Sequence, residues 1–242
     1  MLILIFISAI TFAFIFKYLG IPIIIAFFLT LLSTLIVYII YLRIKNTYLI
    51  NILDEKCDPE AFLSKIIKME NSKSRNPLYI SMILINKAVA KMALSNYQEA
   101  SSYLDEIDIS KISKNNHTYT TYIINRITCY YELGEFQEAE KIYEKEIVLL
   151  RAYEKRYYRS IQILVGERYF YLKKYDESYE HLRKLLNRDL CKRQYLEVLF
   201  LLAQMDIIKH DAEKAIHKLN KIVKHGNKLG IVKSSQELLK KI

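Results

Sequence analysis

Asn96-Tyr97-Gln98-Glu99-Ala100 is the first of four related stretches that decide how this chain folds. The others are Glu135-Phe136-Gln137-Glu138-Ala139, Lys174-Tyr175-Asp176-Glu177-Ser178 and Asp211-Ala212-Glu213-Lys214-Ala215. Their last residues are small and step along the chain by 39, 39 and 37. Such a period marks a supersecondary unit that buries its apolar face only against its neighbours. Other positions keep the register. Four residues after each small residue stand Leu104, Tyr143, Leu182 and Leu219, and twelve before it stand Ala88, Ile127, Gly166 and Ala203. Nine before it stand Lys91, Tyr130, Tyr169 and Asp206, aromatic in two of the four. From about Asp58 onward apolar residues recur at three and four, the helical period. Only five glycines and three prolines occur in 242 residues, few breakers for so long a chain. The chain is read as all-α.

Helix pairs are expected over Leu78–Ser95 with Tyr97–Ile107, His117–Leu133 with Phe136–Leu150, Tyr153–Leu172 with Tyr175–Asn187, and Lys192–Lys209 with Asp211–His225. Asp58-Pro59 suits an N-cap and first turn, so an earlier helix should run through Met69. Leu229–Ile242 is expected to cap the array, because terminal repeats need a polar outer face. Asn71–Pro77 is the best linker candidate. The domains are therefore 1–45, a membrane hairpin; 46–77, a juxtamembrane helix and linker; and 78–242, the repeat domain.

The pattern over roughly residues 78–225 resembles the tetratricopeptide repeat, a helix-turn-helix unit whose small residues let its two helices approach closely. These repeats are longer than the family's usual 34, and the family's frequent Trp and closing Pro are missing. A related helical solenoid fits the same pattern. The resemblance implies a concave face lined by the first helix of each pair. Counted from the small residues, that face includes Asn86, Val89, Asn125, Thr128, Tyr131, Leu164, Glu167, Tyr171, Leu201 and Gln204. The peptide groove is therefore expected to use Asn86, Asn125, Thr128, Tyr131, Glu167, Tyr171 and Gln204. Groove asparagines in the family commonly bond a peptide backbone, and Asn86 and Asn125 share one register; their own neighbours could equally satisfy them. Family members that clamp a C-terminal carboxylate do so with Lys and Arg. The matching positions here are Ile85, Ser160 and Leu164, so that mode is not expected.

The N-terminal part differs in kind. Lys17 is the only charged residue among the first 42, and no acidic residue precedes Asp54. Leu2–Phe16 and Pro22–Leu42 are apolar runs. The second is about 32 Å long as a helix, enough for a hydrocarbon core of roughly 30 Å. The first reaches about 27 Å if it runs to Leu19 with Lys17 snorkelling. Gly20 and Pro22 between them suit a helix end and a helix start. A two-helix transmembrane hairpin is expected, with helices of about 2–19 and 22–42. A cleaved signal peptide fits poorly, since no basic residue precedes the first run. Arg43, Lys45, Lys56, Lys65 and Lys68 outweigh Lys17, which places both termini in the cytoplasm. Ala9 and Ala13, and Ala26, Thr30 and Thr34, are spaced for close packing, within the hairpin or on another membrane protein.

Charge is uneven along the repeats. Residues 94–150 hold 5 basic and 10 acidic side chains, and residues 151–193 hold 12 basic and 6 acidic. Arg151, Lys155 and Arg159, four apart, are expected on one helix face with Tyr153, Tyr157 and Tyr158 between them. Such a face is compatible with solvent, with anionic lipid or acidic protein, and with nucleic acid. No nucleotide-binding, metalloprotease or nucleophile-elbow motif is present. His210, His217 and His225 lie about two turns apart, too far to share a metal ion. Cys57, Cys129 and Cys191 lack metal spacing and suit a reducing compartment. No cofactor and no catalytic site are expected. The expected function is a membrane-anchored, non-enzymatic scaffold recruiting a protein or peptide. The alternatives are a structural subunit recognised through its hairpin, or a nucleic-acid tether.

Overall fold

A computed structural model describes residues 2–70, 76–152 and 154–242. The described residues form twelve α-helices and one 3-10 turn, with no strand. They are α1 (Leu2–Tyr18), α2 (Ile23–Asp54), α3 (Pro59–Glu70), α4 (Pro77–Ala93), α5 (Tyr97–Asp105), α6 (His117–Glu132), α7 (Phe136–Ala152), α8 (Glu154–Tyr171), α9 (Tyr175–Leu185), α10 (Lys192–Ile208), α11 (Ala212–His225) and α12 (Gly230–Leu239). The chain divides into two compact units, residues 1–51 and 52–242.

In the first unit Gly20 adopts φ +68°, the left-handed conformation that ends a helix, and its N–H reaches the Lys17 carbonyl at 3.1 Å. Apolar side chains on both helices are exposed: Phe6, Phe14, Ile23, Phe27 and Leu31 are all more than half accessible. The hydroxyls of Thr11, Thr30, Ser33 and Thr34 each donate to the carbonyl four residues back, at 2.7–2.9 Å. They are thus satisfied within their own helices. Among the described residues one helix, Ile23–Asp54, is long and apolar enough to cross a membrane. α1, at 17 residues, is about 26 Å long.

In the second unit α4 packs with α5, α6 with α7, α8 with α9, and α10 with α11. The first helices of successive pairs also touch in order, α4 to α6 to α8 to α10. The repeat register explains why. Ala88, Ala100, Ile127, Ala139, Ser178, Ala203 and Ala215 are all fully buried, as are Leu104, Leu182 and Leu219. At Gly166 the approach is closest. A Cβ there would sit 2.3 Å from Leu182 Cδ2, and the Gly166 carbonyl accepts the Ser178 hydroxyl at 2.8 Å.

The turn inside each pair repeats as well. Ser95, Gly134, Lys173 and His210 have φ between +58° and +79° and are spaced by 39, 39 and 37. In each turn that residue's N–H and the next bond back to carbonyls of the preceding helix, as Gly134 does to Tyr131 and Glu135 to Tyr130. This is the paired bonding that closes a helix at a left-handed residue.

The helices follow the expected boundaries to within about three residues, except α2, which continues twelve residues past the expected end at Leu42, to Asp54. Two further features stand beside these, and part of one expectation lies outside the described residues. α3, expected as a juxtamembrane element, is packed on α4 through its own core side chains Phe62 and Ile66. Residues 71–75 of the expected linker lie outside the described residues. The array also returns on itself. Asn227 donates to the Lys56 carbonyl at 2.9 Å, Lys228 N–H to the Cys57 carbonyl at 3.2 Å, and the Lys228 ammonium pairs with Asp58 and Glu60. Gly230 lies against the backbone of Leu94, where a Cβ would come within 2.4 Å.

Candidate functional site

Because α12 meets the α4–α5 turn, the inner helices and α12 together bound a cavity of about 510 Å³. Its wall is built by register. Val89, Thr128, Glu167 and Gln204 occupy one position on α4, α6, α8 and α10 and all line it. Thr121, Ser160 and Glu197 occupy a second, and Ala93, Glu132 and Tyr171 a third. α12 and its flanking residues add Leu229, Ile231, Ser234, Glu237, Leu238 and Lys241.

The wall is polar and carries acid. The Thr128 hydroxyl donates to Glu167 Oε2 at 3.0 Å. Burial lifts the Glu167 carboxyl from 4.5 to about 8, and the nearby Glu132 and Glu197 carboxylates add to the lift against the Thr128 bond. Burial also raises Glu132, opposed by hydrogen bonds from Tyr171 and Tyr97. Glu197 is raised by burial too, but it faces a cation. Arg193 Nη1 donates to both its oxygens at 2.9 and 3.0 Å, and Arg193 Nε donates to Asp54 at 2.9 Å. The Glu197 and Arg193 side chains keep 28% and 18% of their exposure, and both lie on the cavity wall. Two carboxylates holding one guanidinium leave that triad acidic.

The expected groove residues divide. Asn125, Thr128, Glu167, Tyr171 and Gln204 are brought together on the cavity wall, with Val89 and Leu201. Asn86 is half-buried on α4 and off the wall. Tyr131 is only 1% exposed and belongs to the core. It stacks on Tyr171 at 5.2 Å and bonds Glu140 through its hydroxyl. The reason is angular. At about 100° per residue, Thr121, Asn125, Thr128 and Glu132 fall within about 60° of one another, and Tyr131 falls about 60° beyond them. Leu164 is likewise core, 1% exposed.

The expected basic face is not one helix face. Tyr157, at φ −109° and ψ 26°, interrupts α8 before Arg159. All three basic side chains are exposed, and Arg159 pairs with Asp189. Tyr153 lies outside the described residues. Glu132, Glu197, Arg193 and Tyr97 were absent from the sequence expectation. Glu132 was within reach of it, since it stands 39 residues before Tyr171. Comparison of the chain with protein-family models, with curated proteins and with solved structures finds no match.

Proposed function

We propose that this chain is a membrane-anchored, non-enzymatic adaptor. In this reading α1 and α2 form a two-pass hairpin with both termini in the cytoplasm. Residues 52–242 form a tetratricopeptide-like domain whose inner face holds a peptide segment of a protein partner. The observation that carries the reading is the cavity wall. Equivalent residues of successive helix pairs converge on it, and it offers the amides of Asn125, Gln194 and Gln204 with the tyrosines Tyr97 and Tyr171. Amides that meet both the N–H and the C=O of an extended backbone give sequence-tolerant affinity. The exposed apolar side chains of α1 and α2 support the anchor. Confinement at a membrane raises the effective concentration of whatever the cavity holds.

The test is crosslinking in native membranes followed by mass spectrometry, comparing the wild-type chain with Asn125→Ala/Gln204→Ala. A partner crosslinked along α4–α10 in the wild type and lost in the variant supports the adaptor. Crosslinks confined to residues 1–45, unchanged in the variant, would replace it with a structural subunit recognised through its hairpin.

A further inference from the structure

Throughout the second unit, carboxylates beside tyrosines are matched by a cation of the chain itself. Lys87 pairs with Glu70 at 2.6 Å and stands over the Tyr103 ring at 5.2 Å. Arg126 pairs with Asp105 at 2.5 Å over Tyr130 at 4.4 Å. Arg168 holds Glu140 bidentately, at 2.9 and 3.0 Å from Nε, over Tyr143 at 4.4 Å. Lys218 pairs with Asp206 over Tyr179. The physical reason is general: a carboxylate taken from water is tolerated when a cation and aromatic faces replace the lost solvation.

The cavity breaks this pattern. Glu132 meets Tyr97 and Tyr171, and Glu167 meets Thr128, but among the described residues no lysine or arginine forms an ion pair with either. Arg193 is already shared between Asp54 and Glu197. From α12 and the residues after it the cavity receives Glu237 and Lys241, one charge of each sign. The cavity thus presents the carboxylate and tyrosine groups seen elsewhere around a cation, without the cation.

Resting on the peptide-binding reading above, we infer that the cavity recognises an ammonium or guanidinium group, carried by a lysine, an arginine or a free amine, which lodges against Glu132 and Glu167. This ligand completes the same carboxylate–cation–tyrosine arrangement that the chain makes with Arg168 and Arg126. It also explains why an inner wall built to meet a peptide carries acid instead of the basic residues that would grip a carboxylate.

The full chain in detergent micelles is titrated with three capped peptides, alternating alanine with lysine, glutamine or glutamate, and with spermidine as a free amine. At about pH 8 the lysine peptide binds at least tenfold tighter than the glutamine peptide, and the glutamate peptide binds weakest. The preference shrinks by roughly tenfold or more towards pH 6, because the ligand needs Glu167 ionised; Glu132, Glu197, Arg193, Glu237 and Lys241 line the same cavity. Glu132→Gln/Glu167→Gln removes the preference without lowering the melting temperature. Spermidine binding that this variant also loses supports the inference, with the amine alone sufficient. Equal binding of all three peptides overturns it and leaves peptide binding standing. Binding of no probe, or a lysine preference that survives the double variant, overturns it outright.

Discussion

Glu167→Gln should stabilise the protein, and more so as the pH rises. Burial lifts this carboxyl from 4.5 to about 8. The folded chain therefore holds the proton more tightly than the unfolded chain does. Stability is untouched below 4.5, falls as the pH climbs towards about 8, and levels off beyond it. At about 1.4 kcal/mol per pH unit, the gap sets a ceiling of about 5 kcal/mol. Glu167 faces a cavity that admits water, so we expect about 2 kcal/mol at pH near 8. Glutamine has the same shape and keeps an acceptor for the Thr128 hydroxyl, but has no charge to bury. For a chain of this size about 2 kcal/mol moves the midpoint by roughly 4–8 °C. The assay is thermal unfolding of the full chain in micelles, followed by far-ultraviolet circular dichroism. At about pH 5 the variant and wild type should nearly coincide, and at about pH 8 the variant should melt higher. A lower midpoint at the higher pH would refute the reasoning, because it would mean the carboxylate is well partnered. An equal gain at both would show that ionisation is not the cause.

Two further outcomes are expected. Lys173→Gly and His210→Gly should each stabilise by up to about 1 kcal/mol, because both residues hold left-handed φ at exposed turns, while Gly134→Ala should cost about the same; urea titration reads all three. The thiols of Cys57, Cys129 and Cys191 are pushed by burial up to about 11, 12 and 12, so Ellman's reagent should modify them slowly at neutral pH and rapidly once the chain is unfolded.

The helices of the second unit were legible because the signal is local and repeated. A small residue at 88, 100, 139, 166, 178, 203 or 215 has one physical role, close approach of two helices, and the register repeats it. Turn geometry was legible only at Gly134. The same left-handed backbone at Ser95, Lys173 and His210 has no glycine to announce it, and appears only once the turns are superposed at the 39-, 39- and 37-residue steps of the repeat. The basic face failed for a related reason. A spacing of four means one face only within an unbroken helix, and the interruption at Tyr157, between Lys155 and Arg159, carries neither glycine nor proline.

The candidate site was half legible, and the missing half is the half that sets its chemistry. Periodicity alone placed Thr128, Glu167 and Gln204 on one wall, because a helix fixes which residues share a face. It could not show that the array returns on itself. That closure depends on contacts across more than a hundred residues, among them Asn227 to Lys56, Lys228 to Cys57 and Arg193 to Asp54, which leave no periodic trace. Closure turns an open, wet face into a cavity. In an open groove Glu132, Glu167 and Glu197 would be ordinary solvated carboxylates. Enclosed by α12, Glu132 and Glu167 lose water without gaining a cation from the chain. Of the acid that composition shows between 94 and 150, Glu132 reaches this wall, while Glu167 and Glu197 lie further along the chain, and the three share one cavity only through the register and the contacts that close it.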